Sequence, residues 1–164
     1  MWINKFCVMK FISALALGLI LCFIVSCTDQ YTLCTLSKEI RFIGRFYQRI
    51  SGQDVLAQAP GLIIHQLNVA TPIFPLQQNV STFSFPLNPL STSASYIISV
   101  GNNQPQDTLT ITYTSQGTNL SPECGSVIYH NITALSSTTH TIDSVKISNA
   151  TVNTDPAENA KIYF

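Results

Sequence analysis

Residues 107–116, DTLTITYTSQ, alternate strictly between apolar and small polar side chains. Leu109, Ile111 and Tyr113 fall on one face; Thr108, Thr110, Thr112 and Thr114 fall on the other. A period of two is that of a β-strand with one buried face, since successive side chains point to opposite sides. The β-branched and aromatic content suits the same state. The rest of the chain is read outward from this stretch.

Towards the N-terminus, ASYIISV (94–100) is a strand followed by the turn cluster GNNQPQ. NVSTFSFPLN (79–88) alternates, with Val80, Phe83 or Phe85, and Leu87 facing inward, and Pro86 demotes it to an edge or bulge. LIIHQLNVA (62–70) is a strand that Pro72 and Pro75 end, and SGQD (51–54) is a turn. KEIRFIGRFYQRI (38–50) reads as a helix or a strand. Arg41, Arg45 and Arg49 share one side in either case, with Ile40, Phe42, Phe46 and Ile50 opposite them in a strand. Gly44 and the aromatic and β-branched residues favour the strand. Towards the C-terminus, a loop through Pro122 and Gly125 frames Cys124. SVIYHNITAL (126–135), TIDSVKISNATV (141–152) and AKIYF (160–164) follow as strands, with Phe164 packed.

Seven or eight short strands separated by turn signals predict an all-β fold, an antiparallel β-sandwich that is immunoglobulin-like in the broad sense. The buried Trp of true immunoglobulin domains is absent, because Trp2 is the chain's one tryptophan.

Ahead of this body lies MKFISALALGLILCFIVSC (9–27). Lys5 and Lys10 supply a positive head, Phe11 to Val25 an apolar run, and Ser26 a small residue before Cys27, the features of a secretory signal. Ile24-Val25-Ser26-Cys27 resembles the bacterial lipobox, in which the Cys thiol takes up a diacylglycerol and the peptide is cut on its amino side. The expected organisation is a helical lipoprotein signal peptide over 1–26, a lipidated Cys27 with a short tether over 27–37, and one β-sandwich domain over 38–164. Met9 is an alternative start, and an uncleaved membrane helix is the competing reading. Acylation would place the protein on a lipid bilayer in a bacterial cell envelope, at the outer membrane on its periplasmic or surface face.

Of eight Lys and Arg, Lys5 and Lys10 leave with the leader, so six basic residues face eight acidic ones. No concentrated basic face suggests nucleic acid. Cys7 and Cys22 also leave, and Cys27 is lipidated. Cys34 and Cys124 remain, an even pair in an oxidising compartment. They are expected to bridge, closing a loop that stabilises the fold by about 4–5 kcal/mol in the chain-entropy picture. Two separate buried thiols are the alternative.

His65, His130 and His140 lack metal-ligand spacing, and no acid or Cys stands beside any of them at a recognisable interval. No nucleophile elbow, glycosidase pair or phosphate loop is present in the pattern. No metal site, cofactor or catalytic residue is therefore expected, and the protein is not expected to be an enzyme. The arginine row 41/45/49 allows phosphate or carboxylate binding, though a solvated strand face accounts for it as well. Asp107-Thr108-Leu109 and Asp143-Ser144-Val145 resemble a short O-glycosylation triplet of bacterial envelopes.

RFY (45–47), FPLNP (85–89), DTLTITY (107–113), SPECG (121–125) and ENAKIYF (158–164) occur in this order. Together they resemble an uncharacterised family of small lipoproteins of Bacteroidota-type envelopes, described only as a domain of unknown function. The family pattern has a Cys soon after the lipid-bearing one and a second before a Gly, which here match Cys34 and Cys124. Its members carry an Asp after the RFY-like segment, where this chain has Gln48. The resemblance implies an envelope location and an all-β domain, and no reaction.

The expected function is that of a non-catalytic, membrane-anchored envelope lipoprotein whose sandwich binds or scaffolds another envelope component. The alternative is a carbohydrate-binding module of a glycan-handling envelope system, stacking sugars on Tyr96, Tyr113, Tyr129, Phe83 or Phe85. Most of those rings should face the core by their alternation.

Overall fold

A computed structural model describes Cys34, residues 38–101 and residues 104–164. The expected signal peptide, Cys27 and most of the expected tether lie outside the described residues. Among the described residues no helix is long and apolar enough to cross a membrane.

Among the described residues, eleven strands form two sheets that pack face to face as an all-β sandwich. They are β1 (Phe42–Ile50), β2 (Gln53–Leu56), β3 (Leu62–Gln66), β4 (Pro72–Gln77), β5 (Thr82–Phe85), β6 (Ser93–Val100), β7 (Asp107–Ser121), β8 (Gly125–Ser137), β9 (Ser144–Ile147), β10 (Thr151–Val152) and β11 (Ala160–Tyr163). The five-stranded sheet has the order β2-β1-β11-β9, with β5 beside the first half of β1. The six-stranded sheet has the order β10-β8-β7-β6-β3-β4. All neighbours are antiparallel except β1 and β11, which run parallel from Gly44↔Ala160 to Tyr47↔Tyr163.

The core is what the alternation demands. Leu109, Ile111 and Tyr113 are buried on β7, and their threonine neighbours face outward. Phe42 and Phe46 on β1 meet Phe83 and Phe85 on β5, and Phe85 reaches Tyr96 of the other sheet with ring centroids 4.3 Å apart. Gly44 sits between the two β1 phenylalanines because the Phe83 ring lies over it, where an added Cβ would collide. Phe164 packs on Phe46 at 5.3 Å.

Several expectations are corrected. SGQD is a turn only at Ser51 and Gly52, both at positive φ (52° and 81°). They form the two-residue loop that suits a tight hairpin, so Gln53 and Asp54 already belong to β2. Pro72 and Pro75 do not end a strand: they lie within β4, which is an edge strand and needs no proline N–H on its open side. Residues 117–121 and 125 are strand rather than loop, and 141–152 holds two short strands rather than one. Ile50 is exposed, not inward, because β1 runs past the core there.

Cys34 and Cys124 form a disulfide, with Cα atoms 4.9 Å apart. It joins the chain ahead of β1 to the turn between β7 and β8. Cys124 is buried at that turn, and its N–H donates to Ser121 Oγ at 3.1 Å.

Candidate functional site

Charge is distributed unevenly between the two sheets. Every Lys and Arg within a strand (Arg45, Arg49, Lys146 and Lys161) belongs to the five-stranded sheet, while the six strands of the other carry none. Period-two alternation explains their placement. Phe42, Gly44, Phe46, Ala160 and Ile162 take the buried face, which leaves Arg45, Tyr47, Arg49, Lys161 and Tyr163 for the outer one.

Register then sets who touches whom. Tyr47 lies opposite Tyr163, and Arg49 opposite Asp54. Lys161 Nζ and Tyr163 Oη both donate to Asp54 Oδ2, each at 2.9 Å, and Arg49 Nε stands 3.8 Å from Asp54 Oδ1. Tyr47 Oη donates to Glu158 Oε2 at 2.6 Å, Ser148 Oγ donates to Glu158 Oε1 at 2.6 Å, and Arg45 Nε is 3.9 Å from the same carboxylate. Lys161 lies over the Tyr47 ring at 4.8 Å and Arg49 over the Tyr163 ring at 5.2 Å, within reach of a cation–π attraction. Arg41, the first of the arginine row, donates to Ser84 Oγ and O at 3.0 and 2.9 Å.

These contacts fix protonation states. The Lys161 ammonium, with the Tyr163 hydroxyl, holds Asp54 below the usual carboxylate range, and that hydrogen bond in turn raises Lys161. Burial and then the Glu158 hydrogen bond push Tyr47 up; burial and then Asp54 do the same for Tyr163. At neutral pH these shifts leave Asp54 ionised, Lys161 charged and both phenols protonated.

At the far end of this face, beside the sheet-edge strand β9, a hollow of about 420 Å³ is lined by Gln48, Arg49, Ile50, Asp143, Ser144, Tyr163 and Phe164. It combines a guanidinium, a carboxylate, a hydroxyl and an apolar floor. A second hollow of about 340 Å³, with Arg41, Ser84 and Thr154 in its wall, lies at the opposite end of β1.

The histidines fall elsewhere. His65 is half-buried on β3. His130 is buried on β8, its Nδ1 3.0 Å from Ser115 Oγ and its ring edge-on to Tyr113, and burial lowers its pKa. His140 does have an acid beside it, contrary to expectation: its Nδ1 is 3.2 Å from Asp107 Oδ1. Thirty-three residues separate the two, so no local spacing could have shown the pair. Asp107 is itself buried. Its Oδ1 accepts from Thr138 Oγ1 and His140 N, and its Oδ2 from Thr141 N and Ile142 N, all at 2.8–2.9 Å. Burial alone would raise its pKa, yet these donors hold it down to about 2. Asp107 is thus a clasp for the 138–142 loop, which leaves its carboxylate engaged within the fold. Of the two triplets that begin with Asp, only Asp143-Ser144-Val145 starts on exposed residues. Among the described residues no three His, Cys, Asp or Glu stand together as a metal site would require.

Of the rings weighed as sugar platforms, Tyr96, Tyr113, Phe83 and Phe85 are in the core and Tyr129 is half-buried. The Tyr47–Tyr163 pair was not singled out in the sequence. Its signal was present: both rings occupy outward positions of strands that also carry cations.

A family model described as "Family of unknown function (DUF6452)" matches residues 62–164, more than half of the chain. Four of the five quoted motifs fall within the match, and RFY (45–47) precedes it. No curated protein and no solved structure matches.

Proposed function

The chain belongs to the DUF6452 family of unknown function, and we propose that it is a non-catalytic, lipid-anchored protein of a bacterial cell envelope. Acylated Cys27 holds it on a bilayer, most naturally the outer membrane of a Bacteroidota-type envelope, and its sandwich docks another envelope component. The observation that carries the docking role is the segregation of all strand cations onto one sheet face, beside a hollow at an open strand edge. Three acids, Asp54, Glu158 and, at the hollow, Asp143, face four cations, Arg45, Arg49, Lys146 and Lys161, so the face keeps a positive excess of one. An acidic protein segment fits it best: carboxylates would meet Arg49 and Lys146, and its backbone the edge of β9. Burial of four of the five candidate stacking rings counts against the carbohydrate-binding alternative.

The test is photo-crosslinking in cells, with the reactive side chain placed at Ser144 beside the hollow or at Thr114 on the other sheet. A discrete protein adduct from position 144, weakened at least fivefold by R49E together with K146E and missing from position 114, supports the reading. Equal, diffuse adducts from both positions would refute it.

A further inference from the structure

We propose that the β7–β8 ribbon is a stalk. The Cys34–Cys124 disulfide moves the point of membrane attachment to its tip, so the sandwich stands off the bilayer with the Arg49–Tyr163 hollow facing away. This rests on the lipid-anchored reading above.

The two strands of the ribbon are the longest in the fold, and they outrun their neighbours. β6 pairs with β7 only as far as Ser93↔Thr112, and the last bond on that side runs from Tyr113 N to Thr92 O. On the other side β10 pairs with β8 only at His130 and Asn131. From Ser115 to Tyr129, among the described residues, no third strand pairs with the ribbon, while its own ladder continues to Ser121↔Gly125. At about 3.3 Å per residue, this two-stranded part is roughly 20–25 Å long.

The tip is where the N-terminal chain is fastened, through Cys34 to Cys124. Seven positions separate Cys34 from Cys27. At about 3.5 Å each, an acylated Cys27 keeps the tip within roughly 25 Å of the lipid headgroups. Without the bridge, attachment would pass to the start of β1, eight positions further along the chain. Pro122 and Glu123 at the tip are exposed and carry no large aliphatic side chain, which suits a foot resting at headgroups rather than one inserted among acyl chains.

The opposite end is fixed by register. β1 ends at Ile50, the parallel β11 ends beside its second half with Phe164 N–H donating to Tyr47 O, and β9 starts at Ser144 opposite Tyr163. The hollow lined by Arg49, Ser144 and Tyr163 is thus at the end of the domain remote from the start of β1. The start of β1 is the ribbon end, because Ile43 and Asn159 bond each other, Asn159 bonds Asn149 and Thr151, and Thr151 pairs with Asn131 of β8.

The chain suits a fluorescence test, because its one tryptophan, Trp2, lies in the leader that processing removes. Full chain would be expressed in a bacterium that processes lipoproteins and purified from membranes. It would then be placed in phosphatidylcholine vesicles containing a dansyl-headgroup lipid. Tryptophan introduced at the tip (Glu123→Trp) or at the far end (Ile50→Trp) serves as donor; both positions are exposed. Energy transfer at least threefold greater from 123 than from 50, with the ratio falling towards one when Cys34→Ser and Cys124→Ser are added, is the expected result. Equal transfer from the two positions in the disulfide-intact chain overturns the stalk, whatever the double variant does. The intact mass of the same sample separates the two failures. A chain lacking the acyl group on Cys27 refutes the anchored reading itself, whereas an acylated chain with equal transfer refutes the stalk alone.

Discussion

Asp107 shows how one side chain can organise a distant loop. A carboxylate removed from water is costly unless it is fully hydrogen-bonded, and here two main-chain N–H groups on Oδ2, with one N–H and a hydroxyl on Oδ1, supply the partners. Its folded pKa of about 2 lies below the ordinary value of 3.8, so the folded state binds its proton less readily than the unfolded one. A depressed carboxylate stabilises above the unfolded pKa, and the benefit disappears as pH falls through the folded one. The expected contribution is about 2 kcal/mol at neutral pH, lost between roughly pH 4 and pH 2. Urea unfolding of Asp107→Asn at pH 7 should show a deficit of about that size, and the variant's stability should change less than wild type between pH 4 and pH 2. None of this was visible in DTLTITY itself. The strand was legible because alternation is local; the clasp was not, because its donors lie more than thirty residues away. Gly44 is the converse case. The sequence used this glycine only to favour strand over helix, and the Phe83 ring above it explains why no side chain can stand there.

Among the elements, those carrying their own pattern were readable and those depending on a neighbour were not. β1, β3, β5, β6, β7, β8 and β11 announce themselves by alternation or by β-branched runs. β2 is four exposed residues that exist as a strand only because a two-residue turn folds them onto the end of β1. β4 contains two prolines and is permitted by its place at a sheet edge, with register shifts in its pairing to β3. Only the far end of the ribbon, residues 117–121 and Gly125, was not read as strand, since it lacks an apolar face of its own. Cross-strand pairing holds those residues as strand, and Pro122, Glu123 and Cys124 form the turn. The disulfide spans 90 residues, so its removal should cost up to about 4–5 kcal/mol in the chain-entropy model. For Cys34→Ser with Cys124→Ser the unfolding midpoint should fall, and amide exchange should quicken first between 115 and 129. Uniform exchange across β7 and β8 in that variant would show that the ribbon owes nothing to the bridge.

For the whole molecule, the candidate site was half-legible. The arginine row was seen in the sequence, but not its company: Asp54, Glu158, Lys161, Tyr47 and Tyr163 converge through parallel pairing of the first and last strands, a contact of more than a hundred residues. That pairing makes the outer face of one sheet charged and aromatic while the other presents threonine. In the proposed reading this is the side that meets a partner, and attachment through Cys27 would give it a direction. Intact-mass measurement of the chain recovered from bacterial membranes, before and after reduction, tests attachment most directly. The expected product begins at Cys27, carries a diacylglycerol on its sulfur, and gains two hydrogens when Cys34 and Cys124 are released. A product that retains residues 1–26, or begins at Cys27 with an unmodified thiol, would contradict the lipid anchor and the orientation built on it.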